Sequence, residues 1–213
     1  MKAAKHLKMI TLLCLICLLL CSCFGLNMDI TLNQNGSGVL TMEYRISKSL
    51  DSIGKLDGNE RWNTIPIGKA DFERTLARLP EMKLLSFSSR EDEKNLIVSS
   101  KMEFSSITGL MTFLDASGRR SSFTGDAGSG RLIITLGQGT EMNNPDLSKL
   151  IENISASYSI NMSMSFHDAG SLEILDNSGS SLEPKKQGKK LSCSFPLYDV
   201  LSSPRGINAV YSW

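Results

Sequence analysis

The chain has 213 residues, a formal net charge of +1 and 41% hydrophobic residues. This length is ample for one domain with its own hydrophobic core, and the balanced charge excludes the basic excess that nucleic-acid binding requires. Four of the five cysteines lie within the first 23 residues. The remainder holds only Cys193, so it cannot form an internal disulfide.

The first 23 residues have the layout of a secretory signal. A basic start with three lysines precedes an apolar run over residues 9–20, and Leu20-Cys21-Ser22-Cys23 follows. A leucine three positions before a cysteine, with a small residue directly before it, resembles the bacterial lipobox. The motif departs from the lipobox at Cys21, where a small or apolar residue other than Cys is preferred. The pattern predicts cleavage after Ser22 and acylation of Cys23, and Cys21 is a weaker candidate for acylation.

This signal defines the predicted organisation: residues 1–22 are a lipoprotein signal peptide and residues 23–213 a lipid-anchored ectodomain. The alternatives are an ordinary signal peptide or an uncleaved helix, although residues 9–20 are short for a span of about 20 residues. Removal of residues 1–22 takes away three lysines and no acid, which changes the net charge to −2. Membrane attachment would therefore depend on acyl chains rather than on a polybasic patch.

The ectodomain begins with a predicted hairpin over residues 27–47. Apolar and polar residues alternate on both sides of Asn35-Gly36, a dipeptide that favours tight hairpin turns. Only residues 24–27 separate Cys23 from this strand, so we expect the domain, including the 33–38 turn and the rim of the sheet, to lie close to the membrane.

Strands and helices then follow one another along the chain. Amphipathic spacing predicts three helices, near 70–79, 105–116 and 145–156. Alternation predicts strands near 82–89, 95–104, 119–124, 131–136, 158–166, 167–175, 191–195 and 207–213. The stretch 176–190 is polar and is predicted to be an exposed excursion. The predicted fold is a single α+β domain, an antiparallel β-sheet packed by about three amphipathic helices.

Residues with catalytic or metal-binding chemistry are few. His167 is the one histidine after the signal, and with Asp168 beside it the pair favours a surface turn over a metal site. Cys193 is best interpreted as a small buried residue, because a nucleophilic cysteine needs a histidine partner. The glycine-rich segment 125–130 lacks the lysine of a P-loop and favours a hairpin loop. We therefore predict no catalytic residues, no cofactor, no metal and no enzyme activity.

Six methionines lie on the predicted inward faces of the strands and helices, which is unusual for a chain of this composition. These residues are Met28, Met42, Met102, Met111, Met162 and Met164. Flexible thioethers fill gaps in an ordinary core, which is the favoured interpretation, and they also suit a soft pocket for an acyl chain. The sequence leaves both interpretations open.

Three segments resemble a known family. These are the opening from Met28 through Asn35-Gly36-Ser37-Gly38, the late strand Met162 to Gly170, and the close Gly188 to Leu201 with an aromatic end at Trp213. Together they resemble the LppM-type family of bacterial envelope lipoproteins over nearly all of residues 24–213. The resemblance implies a mixed α/β ectodomain that binds or maintains envelope components, with lipid or glycolipid contact, and it implies no catalytic residues.

The sequence thus predicts a non-catalytic, lipid-anchored protein outside the cytoplasm, on the cell membrane or the outer membrane. In some bacteria an Asp directly after the acylated cysteine marks retention in the inner membrane. This chain has Phe24 at that position, which favours the outer membrane. The predicted activity is binding of a lipid, a glycolipid or an envelope protein at the membrane surface. A structural or surface-exposed lipoprotein without a small ligand is the second hypothesis, and an envelope enzyme is the third.

Overall fold

The computed structural model describes residues 25–47, 68–93, 95–126, 128–137, 158–175, 183–203 and 205–213, and four positions within 149–155. Its strands, in chain order, are β1 Gly25–Leu32, β2 Gly38–Ser47, β3 Met82–Glu91, β4 Asn95–Phe104, β5 Ser121–Gly125, β6 Gly130–Leu136, β7 Ser159–Ser165, β8 Ser171–Leu175, β9 Lys185–Gln187, β10 Lys190–Pro196 and β11 Ile207–Ser212. Its helices are α1 Lys69–Leu76, α2 Ile107–Leu114 and α3 Leu197–Ser202.

The strands form two sheets. The larger sheet has seven strands in the order β3-β4-β2-β1-β7-β10-β9, and the smaller has four in the order β5-β6-β11-β8. The predicted α+β fold is wrong: the described part of the chain is mostly β, with eleven strands and three helices of six to eight residues. An eight-residue helix is only about 12 Å long, so two of them cannot cover a seven-stranded sheet.

The smaller sheet completes the core that the helices leave open. Residues from both sheets and from all three helices belong to one buried cluster, which includes Met162 of β7, Phe195 of β10 and Tyr211 of β11. Phe72 of α1 packs against Phe87 of β3, with ring centroids 5.5 Å apart. The inner face of the larger sheet is thus covered by α1 and α2 near β3 and β4, and by the smaller sheet near β7 and β10.

The predicted hairpin is confirmed as β1 and β2. Their register pairs Leu32 with Gly38, and Asn33 closes the turn by accepting from the amide of Gly36 at 3.0 Å. Gly36 has φ +81°, which is strained for residues with a side chain. Gly38 lies against the ring of Phe104 and leaves no space for a Cβ.

One pairing in the larger sheet is parallel. β1 pairs with β7 in parallel, from Gly25 opposite Ser159 to Thr31 opposite Ser165, whereas its pairing with β2 is antiparallel. The expectation of a purely antiparallel sheet is therefore wrong. The physical reason is that alternation identifies a strand and its faces, but carries no information on which distant strand lies beside it.

The predicted helices begin and end close to the observed ones where the structure describes them. The helix predicted at 70–79 ends earlier, as α1, and the one predicted at 105–116 is α2, whose Ser106 cap accepts from the amide of Gly109 at 3.0 Å. Most of the helix predicted at 145–156 lies outside the described residues, and its four described positions are helical. β9 falls inside the segment predicted to be an excursion.

The two ends of the sheets carry different elements. We call them the Gly25 end, after the first residue of β1, and the Gly36 end, after the glycine in the turn between β1 and β2. The Gly25 end holds the start of β1, Pro196 at the end of β10, and α3, whose Val200 packs against Gly137 after β6. The Gly36 end holds the 33–38 turn. Since β1 has eight residues, that turn lies about 25 Å from Gly25. The 33–38 turn therefore lies at the far end of β1 from Gly25, and its closeness to the membrane stays a prediction.

Candidate functional site

The outer face of the larger sheet is polar because apolar residues alternate with polar ones along its strands. The polar side chains of four neighbouring strands, β2, β1, β7 and β10, form aligned rows across this face. They are Thr41, Glu43, Asn27, Asp29, Asn161, Ser163, Ser192 and Ser194.

These rows form the floor of an open groove with a volume of about 580 Å³. Glu183 and Lys185, at the edge beside β10, contribute its side wall together with Lys190. The volume falls within the range of about 300–1,000 Å³ that is usual for small-molecule sites. We call this feature the polar groove.

An amide pair lies at the centre of the floor. The Asn161 side-chain nitrogen donates to the side-chain oxygen of Asn27 at 2.9 Å and to the Ser159 hydroxyl at 3.3 Å. This contact exists because β1 and β7 are parallel neighbours in a register that sets the two asparagines side by side. The pair leaves one amide nitrogen and several oxygen lone pairs directed to a ligand or to water.

Asp29 is the charged centre of the next row. Its carboxylate accepts from the Ser163 hydroxyl at 2.5 Å and forms an ion pair with Lys190. Burial by itself raises the pKa of Asp29, but the hydrogen bonds from Lys190 and Ser163 and the charge of Lys190 outweigh it, so the pKa is lowered. Asp29 is therefore an ionised acceptor at neutral pH.

Charge in the groove is mixed. Glu43 accepts from the Ser99 hydroxyl at 3.2 Å and lies 3.5 Å from the guanidinium of Arg45. Glu183 and Lys185 are exposed on the wall. A groove with carboxylates, an ammonium group, amides and hydroxyls can satisfy a ligand that both donates and accepts hydrogen bonds, such as a polyol.

Within the described ranges, no group of three or more His, Cys, Asp or Glu side chains is placed to hold a metal ion. Among the described residues that line the groove there is no histidine, and the Ser163 hydroxyl donates to the Asp29 carboxylate at 2.5 Å.

His167 and Asp168 lie away from the groove, after the end of β7. The His167 Nε2 is 3.1 Å from the Asp168 carboxylate, whose side chain is 71% exposed. The backbone oxygen of His167 accepts from the ammonium group of Lys189. The pair therefore helps to hold the chain where it leaves β7, in agreement with the interpretation as a turn.

Cys193 is buried on the inner face, behind the groove. Its sulfur lies 3.7 Å from the Tyr211 hydroxyl, and burial raises the pKa of the thiol to about 11. Burial also raises the pKa of Tyr211. Both groups are neutral at physiological pH, and Cys193 is buried in the core, as the sequence predicted.

The methionines belong to the core. Met28, Met102, Met162 and Met164 are at most 6% exposed and pack into the cluster shared by the two sheets, while Met42 and Met111 are partly buried against it. Their tight packing favours the gap-filling interpretation over the acyl-chain pocket. The glycine-rich loop is likewise a turn, in which the Asp126 carboxylate accepts from the amides of Gly128 and Ser129.

The lipidation candidates, Cys23 and Cys21, lie outside the described residues, so Cys23 stays a prediction. In the part of the chain that the structure covers, no helix combines the length and the apolar character needed to span a bilayer.

The groove residues were missed as a group by sequence reasoning. The alternation in 158–166 correctly identified a polar face, which carries Asn161 and Ser163. Asn27 and Asp29 stand more than 130 positions earlier, and only the parallel pairing of β1 with β7 brings them beside those residues. The sequence signal that could have identified the groove is that both segments, 27–31 and 158–166, alternate polar with apolar residues.

Comparisons with known proteins give one structural likeness. No protein-family model matches the chain. No curated protein matches it. Among solved structures, the folded domain of LppM from Mycobacterium tuberculosis, determined by NMR, is similar over 90% of this chain and 88% of that domain, with 11% sequence identity and a TM-score of 0.43.

Proposed function

We propose that the protein is a non-catalytic, lipid-anchored envelope protein whose polar groove binds the headgroup of a membrane glycolipid. The observation that carries the proposal is the groove itself: a ligand-sized concavity lined by hydroxyls, amides and charges on a rigid sheet. A sugar hydroxyl both donates and accepts, so rows of Asn, Ser and Asp side chains match a glycan better than an acyl chain.

The position of the groove along the sequence supports a ligand at the membrane surface. Asn27, in the groove floor, is four residues from Cys23, and four extended residues span at most about 14 Å. A protein acylated at Cys23 would thus carry the lower part of its groove near the level of lipid headgroups. A bound glycolipid could keep its acyl chains in the bilayer while its sugars enter the groove.

The core supports the choice of headgroup over acyl chain. The buried methionines fill the space between the sheets, and the groove lies on the opposite face of the same strands. The proposal therefore places recognition on the polar face and leaves the apolar part of the ligand in the membrane.

The experiment compares two serines in one row of the sheet. Ser194 lines the groove on β10, whereas Ser88 is exposed on the same face of β3, about five strand spacings away. Full-length wild type, Ser194→Trp and Ser88→Trp would be extracted from membranes, and their bound lipids identified by native mass spectrometry. We expect a glycolipid on wild type and Ser88→Trp, and its loss from Ser194→Trp because the indole fills the groove.

Two outcomes would contradict this function. Equal lipid on all three proteins would place binding elsewhere, and no lipid on any of them would favour the structural lipoprotein or a protein partner. Attachment is tested separately with a palmitate analogue, which should label the wild type and not Cys23→Ala. Label that persists on Cys23→Ala and is lost from Cys21→Ala would move the acylated residue.

A further inference from the structure

Two of the three large apolar side chains that are exposed among the described residues lie at one end of the sheets. Among the described residues, the exposed large hydrophobic side chains are Leu85, Leu175 and Leu201, at 45%, 42% and 39% exposure. Leu175 and Leu201 lie at the Gly25 end, whereas Leu85 lies at the bulge in the middle of β3. Single exposed leucines are common, so the shared location is the informative point.

The two leucines are held at this end by different elements of the fold. α3 follows Pro196 directly and buries Val200 against Gly137, which leaves Leu201, the next residue, exposed. Leu175 ends β8 opposite Asn208, one residue from the start of β11. The helix that follows β10 of the larger sheet and a strand of the smaller sheet thus place leucines at the same end.

The same end lies next to the predicted anchor. Gly25, Ser159 and Pro196 occupy one row on three adjacent strands, so Pro196 is about 10 Å from Gly25. Cys23 is two residues before Gly25, a reach of at most about 7 Å. Arg205, which is exposed between α3 and β11, adds a positive charge to this surface.

The opposite flank of the Gly25 end is acidic. Glu91, Asp92 and Glu93 are exposed in the turn between β3 and β4. β4 is separated from β1 by β2 alone, so this turn is about as far from β1 on one side as β10 is on the other. Acidic side chains are repelled by an anionic leaflet, whereas leucine and arginine favour the interface.

From these positions, and resting on the proposed attachment at Cys23, we propose that the Gly25 end is a membrane-contact surface. Leu175 and Leu201 enter the interface of the bilayer that holds the anchor, and the acidic β3–β4 turn is held away from it. The contact fixes the orientation of the domain, so that the polar groove rises from the membrane with its Asn27 and Ser194 row lowest.

The test uses the three exposed leucines as matched positions. Leu201→Cys, Leu175→Cys and Leu85→Cys in the full-length acylated protein are each labelled with a bimane fluorophore, and the buried Cys193 gives the background measured on wild type. The proteins are placed in vesicles of equal parts phosphatidylcholine and phosphatidylglycerol, with or without bromine on the acyl chains. Bromine quenches a fluorophore only at short range.

We expect brominated lipid to lower the fluorescence at positions 201 and 175 roughly twofold and to leave position 85 nearly unchanged, because interfacial groups lie only about 5–10 Å into the bilayer boundary. Quenching that is equal at all three positions, or absent at 201 and 175, would overturn the proposal.

Sedimentation of the same vesicles separates this failure from failure of the anchor. If the protein sediments with vesicles but shows no selective quenching, the attachment is supported and the proposed contact surface is overturned. Protein that stays in the supernatant contradicts both.

Discussion

The two faces of the seven-stranded sheet are built from the same strands and differ in almost every property. Asn161 and Ser194 lie on the outer face, and their chain neighbours Met162 and Cys193 lie on the inner one. The outer face has ion pairs, amides and hydroxyls around a groove, whereas the inner face is closed by helices and a second sheet. The difference means that the polar groove and the hydrophobic core are built from alternate residues of the same strands, so that each can be changed separately.

The largest expected effect is on the inner face. Met162→Ala removes a side chain that is 2% exposed and should lower the free energy of unfolding by about 2–5 kcal/mol, because the core does not close over the lost volume. The control is Ser192→Ala on the outer face, with a loss of about 0.5 kcal/mol or less. Urea unfolding measures both, and equal losses would contradict the assignment of stability to the inner face.

The reactivity of a thiol at position 193, on the inner face, can be compared with that of a thiol at position 194, on the outer face. The raised pKa of Cys193, about 11, lowers its thiolate fraction at pH 8 roughly 200-fold relative to an ordinary thiol, and burial slows its reaction further. We expect native wild-type protein to react very slowly with iodoacetamide, and Ser194→Cys to gain one fast-reacting thiol. Rapid alkylation of Cys193 in the folded protein would be inconsistent with its place in the core.

The smallest expected effect concerns the ion pair on the outer face. The lowered pKa of Asp29 means that its stabilising contribution is present above the ordinary aspartate pKa and is lost as the pH falls through the lowered value. Lys190→Met should cost less than about 1 kcal/mol at pH 7, because the Asp29 and Lys190 side chains are 38% and 45% exposed. The deficit should shrink when the measurement is repeated at acid pH, below the lowered pKa of Asp29, because the carboxylate then loses its charge.

Denaturant unfolding at the two pH values measures this deficit, and Lys190→Arg, which keeps the charge, is the control. A deficit of the same size at both pH values would mean that the Lys190 side chain stabilises the sheet by packing rather than by charge.

The strands were predictable from sequence because their signal is local. Strict alternation in 158–166 and the Asn35-Gly36 turn identify β7 and the first hairpin without knowledge of any partner. The helix capped by Ser106 was also found from local signals. β9 was missed because three polar residues carry no periodic pattern, and pairing with β10 makes them a strand.

The groove could not be predicted from local sequence patterns. Asp29 meets Ser163 and Lys190 only through the order β1-β7-β10, which is decided by distant pairing. The same holds for the exposed leucines at the Gly25 end, since Leu175 belongs to a strand of the smaller sheet and Leu201 to the helix α3.

The sequence by itself determined most of the residues that form strands and which of their faces are apolar. The tertiary structure decided that a second sheet, rather than helices alone, closes the core, and that two strands far apart in the chain lie parallel and create the groove. The physical reason is that backbone geometry and alternation act over a few residues, whereas strand order depends on which apolar faces pack best together across the whole fold.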